Sequence, residues 1–367
     1  MDRDGSGDFA AIQGAVNAAA SGDTIRIGPG RFNEGTIVQV PGWTELVRVL
    51  VTVENLTLIG AGSDQTVIGQ AQDWDLSQGG HRGIQTATNL GTRRLVVEGI
   101  RFENMAYAIN DDDIAELYVR NCSFSGNQYS ILDFGGILEI ENSSFESVKR
   151  DGVHLVTWAQ SRLRVTACDF QHIPDEPWAQ TSVSLVGVQD AEFTNCNFRG
   201  GAGGFGAASG TRAVLRSCLF DGQSTIGISS LLACSLVAQD CTLVDQGLAF
   251  RLASDWEVVR TTVTNVRTAS LAIAGSGRGL FRDCVLAKGE RFVVADPLNI
   301  VKDSGTELHY DMRNNWWSTD IPDSILAWIF DAADDPECGY VIDWQPYTGE
   351  PVSGEKKSMG GIKSMFR

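Results

Sequence analysis

The chain has 367 residues, a formal net charge of −17, 43% hydrophobic residues and 40 glycines. Its negative charge repels phosphate backbones and anionic lipids, so nucleic-acid and membrane partners are disfavoured, as is a polyanionic sugar unless calcium bridges the two. The longest apolar runs are too short for a membrane span. No charged-then-apolar leader opens the sequence, so any secretion signal is expected to have been removed or never to have existed.

The first predicted element is a helix over residues 9–20, with Asp8 as its N-cap. Apolar side chains such as Ile12 and Val16 fall on one face of this helix. A strand follows at residues 24–27. We expect the helix to cap the N-terminal end of a repeat array, because a solenoid must cover the open edge of its first strand.

The middle of the chain carries a short repeat, clearest as Asn121-Cys122-Ser123-Phe124 and Asn195-Cys196-Asn197-Phe198. Its aromatic-type position recurs at residues 102, 124, 145, 170, 198, 220, 243, 263, 286 and 317. A period of just over twenty residues indicates a solenoid, and short strands of alternating apolar and polar residues precede each repeat. The sequence therefore predicts an all-β fold, a single-stranded right-handed parallel β-helix of about 10–11 coils with a capping helix at each end.

Cysteine is common at the small position of the repeat, which six of the eight cysteines occupy: Cys122, Cys168, Cys196, Cys218, Cys241 and Cys284. Ser143 and Thr261 stand at the same position in other units. No two cysteines have the CxxC spacing, and Cys behaves as a small buried hydrophobe. We predict a column of reduced thiols inside the solenoid, in preference to disulfides or a metal site.

The chain ends with a second predicted cap and a tail. A helix is predicted to begin at Pro322, in its first turn, and a last strand follows it. We assign residues 1–348 to one β-helix domain, with residues 318–348 as its C-terminal cap, and residues 349–367 to a flexible basic tail. Three longer excursions are predicted as loops, at residues 60–95, 171–182 and 296–310.

Two parts of this pattern resemble known families. The opening, Asp4-Gly5-Ser6-Gly7-Asp8-Phe9 with Ile12-Gln13 and Gly22-Asp23-Thr24-Ile25, resembles that of pectin methylesterases and other pectin-lyase-like β-helices. The repeats through residue 317 resemble the right-handed β-helix group of carbohydrate-binding and sugar-hydrolysing (NosD-like) proteins. The resemblance implies a β-helix over nearly the whole chain. It also implies a secreted or periplasmic protein that binds or processes polysaccharide.

A sharper local resemblance concerns one segment, Ile131-Leu132-Asp133-Phe134-Gly135-Gly136, which is similar to the pectin methylesterase segment carrying a catalytic aspartate. That family places a second carboxylate one coil earlier, where this chain has Asn110-Asp111-Asp112-Asp113. In such chemistry one carboxylate attacks the ester carbonyl while a neighbour with a raised pKa donates a proton. The family's Gly-Arg-Pro-Trp segment, which supplies an orienting arginine, is absent here.

His154 extends this candidate site. Val153 and Leu155 should point inward, which leaves His154 outward on the same ladder as Asn110 and Leu132. We predict that Asp111, Asp133, Asp151 and His154 share one face on consecutive coils. The predicted catalytic residues are Asp111, Asp112, Asp133, Asp151 and His154, and the predicted substrate-binding residues are Asn110, Arg150, Trp158 and Trp178.

The predicted roles follow from the carboxylates. Asp133 would act as nucleophile or base, an aspartate of residues 111–113 as proton donor, and His154 or Arg150 as the orienting group. The aspartate run also suits a solvated turn or a calcium site, so calcium is the cofactor left open, and no metal ligands are assigned. The tryptophans suit either sugar stacking or packing of loops onto the solenoid.

Two functional hypotheses remain. The first is a polysaccharide-binding or polysaccharide-processing protein that acts as esterase, hydrolase or lyase through stacked carboxylates. The second is a non-catalytic surface or interaction β-solenoid that binds glycan or protein along its regular face, which the missing arginine segment favours. The predicted partner is a polysaccharide or glycan, without nucleic acid or membrane insertion, and the sequence leaves the oligomeric state undefined.

Overall fold

The computed structural model describes residues 7–40, 43–74, 80–87, 92–112, 114–157, 160–172, 181–231, 233–275, 277–295, 308–335 and 339–349. Within these residues the chain forms two helices, α1 (Ile12–Ala18) and α2 (Pro322–Trp328), and 33 strands. Neither described helix has the length and apolar character needed to cross a lipid bilayer.

The strands are β1 Asp23–Ile27, β2 Gly30–Phe32, β3 Thr36–Val40, β4 Trp43–Leu50, β5 Asn55–Gly60, β6 Thr66–Gly69, β7 His81–Ala87, β8 Arg94–Glu98, β9 Arg101–Glu103, β10 Tyr107–Asp112, β11 Glu116–Arg120, β12 Ser123–Ser125, β13 Tyr129–Asp133, β14 Gly136–Glu141, β15 Ser144–Val148, β16 Asp151–Val156, β17 Ser161–Thr166, β18 Asp169–His172, β19 Thr181–Val186, β20 Asp190–Thr194, β21 Asn197–Arg199, β22 Gly203–Ala208, β23 Arg212–Arg216, β24 Leu219–Asp221, β25 Ile226–Ser230, β26 Ser235–Gln239, β27 Thr242–Leu252, β28 Asp255–Val259, β29 Thr262–Ile273, β30 Gly279–Arg282, β31 Val293–Ala295, β32 Leu308–Asp311 and β33 Tyr340–Asp343.

All of these strands except β3, which pairs antiparallel with β4, form three parallel ladders around one core. The first ladder is a 13-stranded sheet in the order β1-β5-β8-β11-β14-β17-β20-β23-β26-β28-β30-β32-β33. The second ladder runs β2-β6-β9-β12-β15-β18-β21-β24 and continues into the first halves of β27 and β29. The third ladder runs β4-β7-β10-β13-β16-β19-β22-β25 and continues through the second halves of β27 and β29 to β31. The predicted all-β parallel β-helix is confirmed.

A column of stacked phenylalanines runs through the core behind the second ladder. Its members are each at most 1% exposed: Phe102, Phe124, Phe145, Phe170, Phe198 and Phe220. Consecutive rings are nearly parallel, with centroids 5.2, 4.8, 4.4, 5.0 and 4.5 Å apart. The strand spacing of a parallel sheet, about 4.8 Å, matches the distance at which aromatic rings stack. The repeat therefore sets the register of the coils.

The cysteines form a second internal column. The seven described cysteines are buried, and the six at the repeat position are free thiols. The Cys122 thiol donates a hydrogen bond to the backbone carbonyl two residues earlier at 3.3 Å, and the Ser143 hydroxyl does the same at 2.9 Å. The residue before this position adopts a left-handed conformation, with φ of 52° at Asn121 and 54° at Asn195. Because Asn tolerates this conformation, the recurring Asn-Cys pair marks a corner of the coil. The predicted column of reduced thiols is confirmed.

Both ends of the solenoid carry a helix. Helix α1 begins later than predicted, because Ala11 is extended and caps it without a side-chain hydrogen bond, so Asp8 is not the N-cap. Gln13 fixes the helix instead, because its amide exchanges hydrogen bonds of 2.7 and 3.0 Å with the backbone of Leu50. Helix α2 has Pro322 in its first turn, as predicted. Of the predicted tail, only Gly349 lies within the described residues.

One predicted loop is wrong. Residues 60–95 contain β6 and β7, and β7 pairs in register with β10. The polar residues of β7, such as Arg82 and Gln85, conceal its strand character in the sequence. Of the other two predicted loops, residues 173–180 and 296–307 lie outside the described residues.

Candidate functional site

The candidate site lies on the outer surface of the third ladder, over β7, β10, β13, β16 and β19. Two columns of side chains point outward along it. In the first column the register partners are Tyr107, Tyr129, Asp151 and Thr181, and in the second they are Asn110, Leu132, His154 and Ser184. Because parallel strands lie about 4.8 Å apart, each column offers one side chain per coil.

A bend in each strand places the two columns on the same side. In β16 the residues between the columns, Gly152 and Val153, are both buried, so simple alternation is interrupted once. A Cβ atom at Gly152 would lie 2.8 Å from the Phe170 ring and 2.8 Å from a backbone oxygen, which leaves no room for a larger residue. The bend turns Asp151 outward, where it meets His154.

Asp151 and His154 form a hydrogen-bonded pair. The Nδ1–H group of His154 donates to Oδ2 of Asp151 at 2.7 Å. Asp151 is only 5% exposed, whereas the His154 side chain is 23% exposed. An ionised carboxylate only accepts hydrogen bonds, so it fixes the tautomer that carries the proton on Nδ1. The Nε2 atom of His154 then has a free lone pair, as a general base requires.

Beside this pair, two arginines and two adjacent tyrosines form a four-layer stack, in which each tyrosine ring contacts one arginine. The Tyr107 and Tyr129 rings are stacked with centroids 5.5 Å apart and planes at 4°. Arg82 lies 5.1 Å from the Tyr107 centroid, and Arg150 lies 5.1 Å from that of Tyr129. The His154 ring meets Tyr129 edge-on at 5.5 Å. Burial raises the pKa of Tyr129 to about 12, so its hydroxyl is neutral and can donate to a ligand.

A second histidine lies behind Asp151, inside the solenoid. His172 is 3% exposed, and its Nδ1–H donates to the Val148 carbonyl at 3.1 Å. Burial lowers the pKa of His172, against smaller raising effects of that carbonyl and of Asp151. His172 is therefore neutral at pH 7. Its Nδ1 is bonded to Val148, so Asp151 has His154 as its hydrogen-bonded histidine.

The predicted position of Asp111 and Asp133 on this outer face is wrong. Both side chains are 0% exposed, and Asp133 pairs in register with the core residue Leu155. Oδ1 of Asp111 accepts a hydrogen bond from the Thr86 hydroxyl at 2.7 Å, and Oδ1 of Asp133 accepts one from the Gly135 N–H at 2.7 Å. The two aspartates are register partners on adjacent coils, as predicted, but they face inward at the strand ends.

The structure locates the other predicted site residues as follows. Asn110 lies in the second column but is only 3% exposed, and its amide donates to Gln85 Oε1 at 3.0 Å, so it is not available to a substrate as predicted. Asp112 is exposed at the end of β10. Arg150 covers Tyr129, next to the Asp151–His154 pair. Trp158, Trp178 and Asp113 lie outside the described residues.

A chain segment from an earlier coil borders the site. Lys149, next to Arg150, donates to Asp73 Oδ1 at 2.7 Å and to the Trp74 carbonyl at 2.6 Å. Trp74 is 4% exposed, so these contacts hold the segment firmly against the coil.

Sequence reasoning missed four residues of this surface: Arg82, Tyr107, Tyr129 and Ser184. Tyr107 and Tyr129 are separated by one repeat, as Asp111 and Asp133 are, so their stacking could have been inferred from the period. Ser184 is the register partner of His154 on the next coil. This pairing could not be predicted from the sequence, because the predicted loop at residues 171–182 lies between His154 and Ser184 and hides the register.

No group of three or more His, Cys, Asp or Glu side chains is arranged to hold a metal ion within the described part of the chain.

Comparison with known proteins agrees with this architecture. Residues 131–252 match the family model of the right-handed beta helix region. The chain is similar to the catalytic unit of the thermostable GH87 alpha-1,3-glucanase from Streptomyces thermodiastaticus strain HF3-3, with 14% identity and a TM-score of 0.48 over 78% of this chain and 62% of that one. It is also similar to pectin methylesterase from carrot, with 14% identity and a TM-score of 0.27 over 95% of this chain and 86% of that one. None of the curated proteins compared with the chain matches it. The family match and the parallel ladders together identify the chain as a right-handed parallel β-helix.

Proposed function

We propose that the outer surface of the third ladder binds a polysaccharide and that the Asp151–His154 pair catalyses hydrolysis of an ester group on it. The observation that carries this proposal is the 2.7 Å hydrogen bond that holds His154 with Nε2 available at the surface. We further propose that the protein acts outside the cytoplasm, as a secreted or periplasmic protein, where such polymers occur.

The surface has the chemistry that a neutral sugar polymer requires. Tyr107 and Tyr129 are partly exposed and offer ring edges and hydroxyl groups, so apolar sugar faces and sugar hydroxyls both find partners. The columns repeat about every 4.8 Å along the solenoid axis, which suits an extended polymer lying across several coils. The net charge of −17 favours a neutral polymer over a polyanionic one.

Ester hydrolysis fits this surface better than glycoside cleavage. A glycosidase of the usual kind needs two accessible carboxyl groups that flank the glycosidic bond. Asp111 and Asp133 are fully buried, and Asp151 is engaged by His154. A hydrogen-bonded Asp–His pair, in contrast, is the base that activates a hydroxyl nucleophile in acyl transfer.

Ser184 is the proposed nucleophile, because it is the outward register partner of His154 on the next coil. Its Oγ atom would attack the ester carbonyl while Nε2 of His154 takes the hydroxyl proton, and Asp151 would stabilise the imidazolium. The same proton would pass to the departing alkoxide, which leaves as the sugar hydroxyl of an acylated polymer or as methanol from a methyl ester. Water, activated by His154, would then release the acyl group from Ser184 as a carboxylic acid and restore the enzyme.

The test is an esterase screen on acylated and methyl-esterified neutral polysaccharides. We expect Ser184→Ala, Asp151→Asn and His154→Gln each to lower kcat by about 10²–10⁴-fold, the contribution of a positioned base or nucleophile. Ser229→Ala is the matched control, because Ser229 lies in the same column two coils further on and should leave kcat unchanged. Hydrolysis that survives His154→Gln unchanged would rule out the proposed mechanism.

Non-catalytic glycan binding is the second candidate, and the burial of Asp111 and Asp133 favours it, because it removes the acids first assigned to catalysis. A glycan array followed by calorimetry on wild type and Tyr129→Ala separates the two candidates. Binding that depends on Tyr129, without ester hydrolysis of any bound glycan, would support this second function over the first.

A further inference from the structure

A small cavity lies at the N-terminal end of the solenoid, between α1, β2, β3 and β4, away from the third-ladder surface described above. Its volume is about 100 Å³, and Ile12, Phe32 and Val49 form its apolar floor. These three side chains are at most 4% exposed, so the floor belongs to the solenoid core. Glu34 and Thr36 line the cavity and are exposed, which opens it to solvent.

The cavity contains a buried cation. Arg48 lines it and is only 3% exposed. Its neighbours Val47 and Val49 pair with β7, which places Arg48 at the inward bend of the third ladder, where later coils have small residues such as Gly152 and Ala108. The guanidinium group is therefore turned toward the end of the core, and not toward solvent.

Arg48 has hydrogen-bonding capacity that the folded chain leaves unused. Its Nε and Nη1 atoms are buried and have no hydrogen-bond partner within the described part of the protein. A buried guanidinium is normally paired, because the loss of its hydration must be compensated by hydrogen bonds. Burial lowers the pKa of Arg48, and the negative charge of Glu34 only partly offsets this effect. An anion placed in the cavity would supply the missing acceptors.

We propose that this cavity, the Arg48 pocket, binds a small organic carboxylate. A carboxylate oxygen would accept a charge-assisted hydrogen bond from an unpartnered N–H group of Arg48, at Nη1 or at Nε. The short apolar part of the ligand would rest on Ile12, Phe32 and Val49. The volume admits only a few heavy atoms, so acetate, propionate and butyrate define the expected size range.

Glu34 should set the affinity of the pocket. It lines the cavity with Arg48, and its charge acts on the Arg48 guanidinium. The same charge repels a bound carboxylate, so we expect Glu34→Gln to lower the Kd for propionate about fivefold, the order of effect of one unit charge near the mouth of a solvent-connected pocket. This exposed substitution leaves the core intact and can be tested independently of any change at Arg48.

The experiment is a titration of the full chain with sodium propionate at constant ionic strength, with sodium chloride as the replaced salt. The ¹⁵Nε resonance of Arg48, assigned by its loss in Arg48→Met, should shift saturably. The resonance of Arg93, whose side chain is 72% exposed, should not shift and serves as the matched control. Thermal denaturation should show propionate stabilising wild type and Arg93→Gln but not Arg48→Met.

Two results would overturn the proposal. One is the absence of a saturable shift of Arg48 with acetate, propionate and butyrate. The other is an unchanged Kd for propionate in Glu34→Gln, since this substitution removes the repelling charge without touching the core. Neither outcome depends on Arg48→Met folding, and neither bears on ester hydrolysis at the third-ladder surface.

Discussion

Replacing Tyr129 with alanine tests whether the four-layer stack holds the candidate site together. Tyr129 contacts the Tyr107 ring at 5.5 Å, the His154 ring at 5.5 Å and the Arg150 guanidinium at 5.1 Å. Each aromatic contact contributes about 0.5–1.5 kcal/mol and the exposed cation–π contact about 0.5–1 kcal/mol. We expect Tyr129→Ala to lower the free energy of unfolding by about 2–4 kcal/mol.

Tyr129→Phe is the matched variant, because it keeps the ring and removes only the hydroxyl. Tyr129 is only partly buried, so removal of its hydroxyl should change the free energy of unfolding by no more than about 0.5 kcal/mol. Urea denaturation followed by circular dichroism gives both values. A double-mutant cycle with Arg150→Gln should give a coupling free energy of about 0.5–1 kcal/mol. Equal losses for the Phe and Ala variants, or no coupling to Arg150, would refute the stacking argument.

Two further predictions concern buried titratable groups. Burial lowers the pKa of His172, so the unfolded chain binds its proton first as the pH falls below about 6.5. Stability should therefore fall with pH from there down to the pKa of the folded state, by at most about 1.4 kcal/mol per pH unit for this group, and urea midpoints between pH 7.5 and 5.0 should flatten in His172→Gln. If the urea midpoint of His172→Gln fell with pH as steeply as that of wild type, another group would be responsible for the pH dependence. Burial also raises the pKa of the Cys122 and Cys284 thiols to about 12. Their thiolate fraction is then about a thousandfold smaller than in the unfolded chain, so peptide mapping after iodoacetamide treatment should find them labelled only in urea. Prompt labelling of the native chain would show that the thiol column opens to solvent.

The repeat made most of the fold predictable. Phe124, Phe145 and Phe170 stack one above another, so this position must recur once per coil and the sequence period reports the coil length. Gln13 could not be recognised as the residue that fixes α1, because its partner Leu50 is distant in the sequence. Strand β7 was missed because polar residues surround Ile84, its one large apolar core residue.

The candidate site was predictable only in part. The alternation that correctly turned His154 outward, with Leu132 as its partner, also places the next residue, Asp133, beside the inward Leu155. The resemblance of residues 131–136 to a catalytic segment predicted an outward Asp133 instead. The buried position of Asp133 shows that the alternation was the better guide. The outward turn of Asp151 required knowledge of the bend at Gly152, which depends on the Phe170 ring from another part of the coil.

The wall of the solenoid is a single strand thick, and this has a consequence for how the protein can vary. In β16 the neighbours of His154, Val153 and Leu155, are 0% exposed, so one strand supplies both the core and the surface. Insertion of one residue within β16 would exchange their directions and send His154 into the interior. Changes of length are thus tolerated at the corners between ladders. Loops grafted at those corners could alter which polymer is admitted, while the columns of the third ladder remain a fixed template.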